Sequence, residues 1–453
     1  MIKKIYETQA TDELAILVGV DLRSEKQFLT MEDSLEELSQ LAKTAGLEIC
    51  GETTQRLEKP NPETLIGGGK VNEIKILLDE TGAKICVFDI ELNPRHQREL
   101  EKKLGENIRV LDRTALILDI FAQHAKTREG ILQVELAQYE YRLPRLTRAW
   151  THLARQAGGA SGRSGSTGGV GLRGPGETQL EVDRREINTR ISALKKDLEK
   201  VREHRLRHRV QRKRSRIPIV SLVGYTNAGK STLLNQISGA DIYTADQLFA
   251  TLDPTTRRVE LPAGEQILIT DTVGFIQKLP TQLVAAFRAT LEEISESDLL
   301  IHVVDINHPN ALAQWKAVQN TLTEINANHI PVITALNKID LLPDPDNAID
   351  TLKSFQNSVA ISANTRFGIP ELLESIETNL FKNFIPIDIT LPYTEGNLLS
   401  QIHDLGMVEL IEHNRKGTHV RARIPGRLVA SFKPFLKSGD AIDFGSEEVE
   451  SES

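Results

Sequence analysis

Apolar runs of strand length alternate with amphipathic stretches of helix length over residues 1–118. A continuous apolar run such as 14–20 predicts a buried strand, whereas 31–45 places its leucines on one helical face. The pattern predicts strands at 14–20, 84–90 and 108–111 and helices at 31–45 and 94–104. Because strands alternate with helices, residues 1–118 are predicted to form a small parallel α/β domain.

The next stretch, 119–216, shows helical periodicity on both sides of a glycine-rich interruption. Apolar residues recur at helical spacing over 132–155, with a perturbation expected at Pro144. Residues 158–176 are mainly Gly, Ser and Thr and have little to bury. The helix after them has apolar residues in steps of three, four or seven, as in a coiled-coil seam: Leu180, Ile187, Ile191, Leu194, Leu198 and Val201. We predict a long antiparallel helical hairpin with a Gly-rich tip.

Short apolar strands return from residue 217 onward. Over 217–383 they alternate with helical segments, which predicts a second α/β domain. A small α+β domain is predicted for 384–445, with strands at 387–391, 408–412 and 418–424 and a helix at 397–406. The tail, 446–453, is acidic and is expected to be disordered.

Composition narrows the class of protein. Charged residues are 26% and aromatic residues 5% of the 453, the balance of an ordinary soluble protein. The N-terminus lacks the apolar stretch of a signal peptide, and no run of about 18 apolar residues predicts a membrane span. Cys50 and Cys86 lie in apolar runs without metal or redox spacing, so we expect reduced core residues. The prediction is a cytoplasmic monomer with no membrane span.

A glycine-rich sequence follows the apolar strand 217–223. It has the form Gly-x4-Gly-Lys-Ser and leads into a helix, which is the context of a phosphate-binding loop; a plain glycine turn is the alternative. Its glycines let backbone N–H groups turn towards phosphate oxygens, and the helix N-terminus adds partial positive charge. Lys230 can reach the β- and γ-phosphates, and the Ser231 hydroxyl can ligate Mg²⁺. The predicted nucleotide-binding residues are Gly224, Tyr225, Thr226, Asn227, Ala228, Gly229, Lys230, Ser231 and Thr232.

Three later segments, each at the end of an apolar strand, indicate which nucleotide binds. They are Asp271-Thr272-Val273-Gly274, Asn337-Lys338-Ile339-Asp340 and Ser362-Ala363-Asn364. Asp271 can hold Mg²⁺ through water, and the Gly274 N–H can contact a γ-phosphate. The Asp340 carboxylate can accept from guanine N1–H and from the exocyclic amine, a pair of donors that adenine lacks. A backbone N–H in the third segment can meet guanine O6. Each motif alone could be an ordinary turn, but together and in this order they predict a GTP-binding domain whose ligands are GTP and GDP.

Charge is distributed very unevenly along the chain. Residues 141–216 hold 20 Lys and Arg against 7 Asp and Glu, a surplus of +13 in a chain whose net charge is −8. The basic residues are densest at the end of the second hairpin helix: Arg202, Arg205, Arg207, Arg209, Arg212, Lys213, Arg214 and Arg216. A solvated helix face is the structural alternative. The asymmetry favours contact with a nucleic-acid backbone, and we predict RNA as the partner.

These motifs together resemble the HflX-type GTPases over nearly the whole chain. The most specific matches are the Gly-rich segment 169–185 and Phe249-Ala250-Thr251-Leu252-Asp253-Pro254-Thr255. Gly67, Gly68 and Gly69 before Lys70 are also similar to the family, as is Asp112-Arg113-Thr114. The resemblance implies cytoplasmic proteins that bind the large ribosomal subunit (rRNA) and help to rescue or split stalled ribosomes. It also implies the domain order given above. The chain departs from the family by a longer Gly/Ser tip at 158–168.

The threonine that completes the Mg²⁺ and γ-phosphate site is chosen by this resemblance. The sequence alone leaves Thr251, Thr255 and Thr256 open, and the family pattern places the role at Thr251. Phe249, Ala250, Thr251, Leu252 and Asp253 therefore join the predicted GTP-binding residues.

Hydrolysis of GTP depends mainly on positioning and charge stabilisation, for which Lys230, Thr251 and Gly274 are the predicted catalytic residues. Many GTPases orient the attacking water with a Gln directly after the glycine of the Asp-x-x-Gly motif, and here Phe275 has that position. We therefore expect slow intrinsic hydrolysis that the ribosome stimulates. Asn227 resembles the Asn that helps related GTPases to bind K⁺ beside the phosphates; a loop-turn Asn is the alternative.

Two other functional classes are alternatives. A GTPase that regulates tRNA modification would need a cysteine or cofactor motif at the end of the chain, which this sequence does not show. Asp340 disfavours an ATP-driven RNA remodeller. Residues 67–70 look like a phosphate loop but lack its spacing and its Ser/Thr, so a tight turn with an exposed helix N-terminus is predicted. RNA phosphate or a second nucleotide in this domain are the alternatives there.

Overall fold

A computed structural model describes thirteen stretches of the chain. They are residues 13–22, 30–105, 107–148, 175–215, 217–239, 248–249, 254–277, 294–342, 355, 357–382, 384–415, 417–425 and 428–435. Three sheets with helices on their faces make up the described structure. The predicted α/β class is confirmed. The acidic tail and most of the predicted Gly-rich tip lie outside the described residues.

The N-terminal sheet is parallel, as predicted, and has four strands in the order β2-β1-β3-β4. Its elements follow one another as β1 (Glu13–Leu22), α1 (Met31–Thr44), β2 (Leu47–Leu57), α2 (Gly68–Thr81), β3 (Ile85–Phe88), α3 (Pro94–Leu104), β4 (Arg109–Asp112) and α4 (Arg113–His124). The predicted boundary at 118 falls inside α4. The Thr30 side chain caps α1 in a capping box with Asp33, and the Asp112 carboxylate caps α4.

Alternation along β1 divides this unit into two cores. Ala15 and Leu17 face α1 and α4, while Ile16 and Val18 belong to the cluster that α2 and α3 cover. The period of two is the reason that one strand serves both faces of a parallel sheet. Cys86 is a core residue as predicted, and its burial raises the pKa of its thiol; Cys50 is half-buried and packs against the same cluster.

The two hairpin helices are α5 (Arg128–Arg142) and α6 (Pro175–Ser215). They pack through a seam that includes the predicted residues Ile187, Ile191, Leu194 and Leu198. They run antiparallel, because Arg190 pairs with Glu135 whereas Arg205, further along α6, pairs with the earlier Glu129. The predicted helix 132–155 ends early: α5 stops at Arg142 and a 3-10 helix, Leu143–Arg148, follows. Pro144 explains the change, since it lacks an N–H and its ring clashes with the preceding turn.

The central sheet has six strands in the order β10-β9-β8-β5-β7-β6, and all are parallel except β6. Along the chain the elements are β5 (Ile219–Gly224), α7 (Lys230–Ser238), β6 (Thr255–Glu260), β7 (Gln266–Asp271), β8 (Leu299–Asp305), α8 (Ala311–Glu324), β9 (Val332–Asn337), β10 (Ser358–Ala360) and α9 (Ile369–Phe381). β6 and β7 pair as an antiparallel hairpin.

The last sheet is small and antiparallel, with the order β11-β13-β12. It comprises β11 (Phe384–Leu391), α10 (Gly396–Leu405), β12 (Met407–Asn414), β13 (Gly417–Pro425) and a short α11 (Val429–Phe432). Ile402 of α10 is buried against the inward-facing residues of the strands. Across the described part of the chain, no helix combines the length and the apolarity needed to cross a membrane.

Candidate functional site

The four predicted nucleotide segments meet at one edge of the central sheet. β5, β7, β9 and β10 run parallel, so the loops after them share that edge. Open α/β sheets bind ligands outside the carboxyl ends of their strands. Most of the predicted side chains are buried there: Tyr225, Thr226, Ala228, Lys230, Asp271, Thr272, Asn337, Ile339, Ser362 and Ala363. Ser231, Thr232, Val273 and Lys338 are half-buried, and Asn227, Asp340 and Asn364 are exposed.

Backbone geometry makes two glycines of the phosphate loop indispensable. Gly224 has φ +154° and Gly229 has φ +93°, values that side chains with a Cβ rarely adopt. A Cβ on Gly224 would lie 2.3 Å from the Val303 carbonyl oxygen, and one on Gly229 would lie 2.3 Å from Asn337 Nδ2. The loop therefore has the tight, glycine-dependent turn that brings backbone N–H groups to a phosphate.

Lys230 opens α7 and lies inside the loop. Its Nζ donates to the carbonyl oxygens of Gly224 at 3.1 Å and Tyr225 at 2.7 Å. Burial lowers the pKa of Lys230 to about 8, while the charge of Asp271 acts in the opposite direction. A phosphate beside Nζ would favour the charged amine further, so the loop holds a cation ready for an anionic ligand.

Oxygen ligands suited to Mg²⁺ are close together beside this lysine. The Ser231 hydroxyl donates to Asp271 Oδ2 at 2.6 Å, and the Asp271 side chain is buried. A hydroxyl and one carboxylate fit an ion that takes its other ligands from phosphate and water.

The segment after β7 is paired with the phosphate loop. Thr226 N donates to the Phe275 carbonyl at 2.8 Å, and Phe275 N donates to the Gly224 carbonyl at 3.0 Å. A Cβ on Gly274 would lie 2.8 Å from Thr226 Cα and 3.0 Å from Lys230 Nζ. Gly274 is thus held against the predicted γ-phosphate position, and the Phe275 ring lies in the core with 4% exposure.

The predicted guanine-reading segments are tied to the phosphate loop by one side chain. Asn337 Nδ2 donates to the Ala228 carbonyl at 2.9 Å, and Asn337 Oδ1 accepts from Ala363 N at 2.9 Å. Lys338 has φ +67° and pairs with Asp305 at 2.7 Å. This arrangement leaves the Asp340 carboxylate exposed to solvent, where a base can reach it.

The segment 249–253 contains Thr251, the threonine predicted to complete the Mg²⁺ and γ-phosphate site, and only Phe249 of this segment is described. Ala250, Thr251, Leu252 and Asp253 lie outside the described residues. Phe249 is buried with φ +60°, and its ring meets the Phe121 ring edge-on with centroids 4.6 Å apart. Phe249 therefore contacts α4 of the N-terminal unit.

Sequence reasoning missed the contribution of that N-terminal unit to the site. A cavity of about 80 Å³ lies between α1 and the phosphate loop, lined by Glu36, Glu37 and Gln40 on one side and Thr226 and Asn227 on the other. The sequence gives no signal for this contact, because it depends on packing between residues far apart in the chain. The only hint was the family likeness of Asp112-Arg113-Thr114.

Comparison with known proteins identifies the family. Three family models match in order: "GTP-binding GTPase N-terminal" over 32–122, "GTP-binding GTPase Middle Region" over 124–212 and "50S ribosome-binding GTPase" over 219–338. GTPase HflX of Caldanaerobacter subterraneus is 43% identical over 427 residues, or 94% of each chain. The chain belongs to the HflX family. GTPase HflX of Escherichia coli K12 is 44% identical over 406 residues, 89% of this chain and 92% of its own.

Membership of the HflX family confirms the resemblance seen in the motifs, and with it GTP binding and GTP hydrolysis. Among solved structures, a GTP-binding protein of Sulfolobus solfataricus in complex with GDP is similar to this chain. The two are 25% identical, with a TM-score of 0.43, over 82% of this chain and 99% of the other. The family assignment rests on the sequence relatives.

Proposed function

We propose that this HflX-family GTPase binds the large ribosomal subunit through its helical hairpin and, with GTP bound, splits or rescues stalled ribosomes. The description of the family model that matches 219–338, a 50S ribosome-binding GTPase, supports the choice of partner. The observation that carries the proposal is the surplus of +13 charges over 141–216 in an acidic chain.

Ion pairs between α5 and α6 show which basic residues of 141–216 already have a role within the hairpin. Arg190 donates to both Glu135 oxygens at 2.7 and 3.0 Å, and Lys195 pairs with Glu140 at 2.8 Å. These two cations help to hold the hairpin together. Arg205 of the basic run 202–216 also pairs with Glu129 across the hairpin, whereas the stretch after it, 207–216, holds six Lys and Arg and no Asp or Glu. We assign the attraction for rRNA phosphate to this run and the specific fit to the tip at 158–176.

We assign the roles in the nucleotide site from the predicted motifs and their placement at one edge of the central sheet. Lys230 and the Gly274 N–H stabilise the γ-phosphate, and Asp340 reads guanine. Mg²⁺ would be held by Ser231 and Thr251, with Asp271 acting through water. We assign the exposed residue Asn227 to K⁺ binding. When bound, Mg²⁺ supplies charge stabilisation for phosphoryl transfer.

Hydrolysis without the ribosome is expected to be slow. The buried ring of Phe275 stands where many GTPases carry a water-orienting glutamine, and its backbone is paired with the phosphate loop. A group that positions the attacking water has to be brought in by a conformational change or a partner. The ribosome is the proposed cause of that change.

Sedimentation with ribosomal subunits tests the proposal. The protein should pellet with large subunits in the presence of a GTP analogue and stay in the supernatant with GDP. The triple change Arg212→Gln, Lys213→Gln and Arg214→Gln should weaken the association and flatten its salt dependence. Each phosphate contact that is lost removes about 0.7–0.9 from the log–log slope.

A matched triple variant controls for net charge. Lys43, Lys75 and Lys84 are exposed residues of the N-terminal unit, and changing all three to Gln alters the charge by the same amount. This variant should sediment like the original protein. If both triple variants lose binding equally, non-specific charge explains the association. If neither does, the basic run is not the ribosome-binding surface.

A further inference from the structure

A buried arginine attaches the base of the hairpin to the N-terminal unit. Pro144 ends α5, and the 3-10 helix that follows places the Arg145 guanidinium over the Tyr141 ring, 3.6 Å from its centre. A cation that close to an aromatic face is attracted by it. Only 12% of the Arg145 side chain is exposed, so this cation belongs to the interior and not to the basic surface offered to a partner.

The guanidinium donates to three parts of the N-terminal unit. Nη2 donates to the Leu92 carbonyl, which follows β3, at 2.7 Å and to Asp112 Oδ2, at the end of β4, at 3.4 Å. Nε donates to Gln97 Oε1 on α3 at 3.0 Å. Nη1 donates within the hairpin, to the Tyr141 carbonyl at 2.9 Å. The planar fork of one arginine thus joins the hairpin to β3, β4 and α3.

Asp112 completes the network and has no part in the nucleotide site. Its Oδ1 accepts from the Tyr141 hydroxyl at 2.9 Å and from Ala115 N at 2.8 Å, while its Oδ2 accepts from Leu92 N at 2.9 Å as well as from the arginine. Burial raises the pKa of Tyr141, so its phenol keeps the proton that it donates. Asp112 is 1% exposed, and a buried carboxylate without such partners is costly. The network therefore holds only when the hairpin base and the sheet edge keep this one arrangement.

Apolar packing supports the same joint but does not set its direction. Val134 and Ala137 of α5 belong to one buried cluster with Ile117 and Phe121 of α4. Burial of apolar surface is non-directional, so these contacts keep the two helices together over a range of angles. Hydrogen bonds weaken steeply when they bend, and the planar arginine fork needs its acceptors in fixed directions. Arg145 therefore determines the angle at which the hairpin leaves the N-terminal sheet.

The other end of the hairpin is joined differently. α6 ends at Ser215 and β5 begins at Ile219, so three residues lie between the hairpin and the first strand of the GTP-binding unit. We propose that Arg145 is a positioning residue that locks the hairpin to the N-terminal sheet, so that both move as one arm against the GTP-binding unit. The consequence rests on the proposed function: a stiff arm transmits displacement to the ribosome, whereas a loose one keeps its basic run and binds without splitting.

Distances measured in the protein alone test the lock. Spin labels attached through Glu80→Cys on α2 and Lys196→Cys on α6 occupy exposed positions on the two sides of the joint, in a Cys50→Ser background. Double electron–electron resonance should give one narrow distance distribution. Arg145→Gln removes the charged fork and should raise the population of other orientations about tenfold, which broadens the distribution. The GTP dissociation constant and turnover without ribosomes should stay unchanged, which shows that the variant is folded.

Two further variants separate charge from hydrogen-bond geometry. Arg142→Gln is the matched control, because Arg142 is an exposed arginine of the same segment and the change removes the same charge. It should leave the distribution narrow. Arg145→Lys keeps the charge but replaces the fork by a single ammonium, so it should broaden the distribution as Arg145→Gln does. A narrow distribution in Arg145→Lys would overturn the proposal, and if Arg145→Gln does not fold, this variant decides alone.

Ribosomes then test the consequence. Arg145→Gln should pellet with large subunits as the original protein does, but light scattering should show that it no longer splits ribosomes. Normal splitting by a variant with a broadened distribution would overturn the link between the lock and splitting, and an unbroadened distribution would overturn the lock itself. If the original protein does not split ribosomes, the proposed function fails, while the distance measurement still decides whether Arg145 locks the arm.

Discussion

Two glycine-rich turns in this chain each lead into a helix and a lysine, and only one has the geometry of a phosphate loop. In the central unit, Gly224 and Gly229 have positive φ values and no space for a Cβ. In the N-terminal unit, Gly67 has φ −67° as the N-cap of α2. Apart from chain neighbours and the nearby backbone of α2, no described atom lies within 4 Å of a Cβ placed on Gly68 or Gly69. Glycine is required in the first turn and tolerated in the second.

The two lysines differ in the same way. Lys230 is buried and donates to backbone carbonyls, so its charge is available to a ligand. Lys70 is bound to the Glu73 carboxylate at 2.7 Å and to the Thr53 hydroxyl at 3.1 Å. Its charge is already balanced within the N-terminal unit. A glycine run before a lysine therefore indicates a phosphate site only when backbone geometry demands the glycines and no carboxylate neutralises the lysine.

The largest effect is expected from the lysines themselves. Lys230→Ala removes a donor that stabilises charge on the transferring phosphoryl group, so kcat for GTP should fall by about 10²–10³-fold. Lys70→Ala removes only a partly exposed ion pair, and GTP turnover should not change. Steady-state phosphate release by the two variants measures the difference. Equal losses in both would mean that the N-terminal turn also serves hydrolysis, which would remove the contrast.

The sequence was most informative where local chemistry alone determines structure. Apolar runs located β1, β5 and β9, and the spacing of Gly and Lys located the phosphate loop. The prediction named no strand at β2, since Leu47–Leu57 lacks a continuous apolar run and residues 52–56 are all polar. The hydrogen bond from the Tyr225 hydroxyl to Glu37 was invisible because it spans 188 residues. Contacts of that kind depend on how whole units pack.

A smaller effect is expected from pH and would sharpen the contrast between the lysines. The pKa of Lys230 is about 8 without a ligand, lowered from 10.5 by burial, and bound phosphate raises it again. At pH 7 the Lys230 amine is charged both with and without bound phosphate, so GDP affinity does not depend on pH there. Above pH 8 binding requires proton uptake, and GDP affinity should fall by up to about tenfold per pH unit.

Isothermal titration between pH 7 and 9 in two buffers of different ionisation enthalpy measures this proton uptake. Lys230→Arg is the control, because arginine stays charged throughout and any titration of guanine is common to both proteins. The affinity of the Lys230→Arg variant for GDP should change less with pH than that of the original protein. Parallel profiles in the two proteins would show that Lys230 does not titrate in this range.

The smallest effect is expected from alanine at Gly68, and its contrast with alanine at Gly229 tests the comparison on geometry alone. Gly68 is the first residue of α2 and has open space around its Cβ position, so Gly68→Ala should stabilise the protein by about 0.4–1 kcal/mol through a less flexible unfolded chain. Gly229→Ala has to displace the Asn337 side chain and strain the backbone, so it should destabilise the protein and impair GTP binding. Scanning calorimetry of the full chain should show a slightly raised transition for the first variant and a lowered one for the second, with GTP turnover unchanged only in the first. Both changes add one methyl group, and the one on Gly68 has open space around it. A loss of GTP turnover in Gly68→Ala would therefore not be a steric effect. Such a loss would make the N-terminal turn a ligand-binding loop.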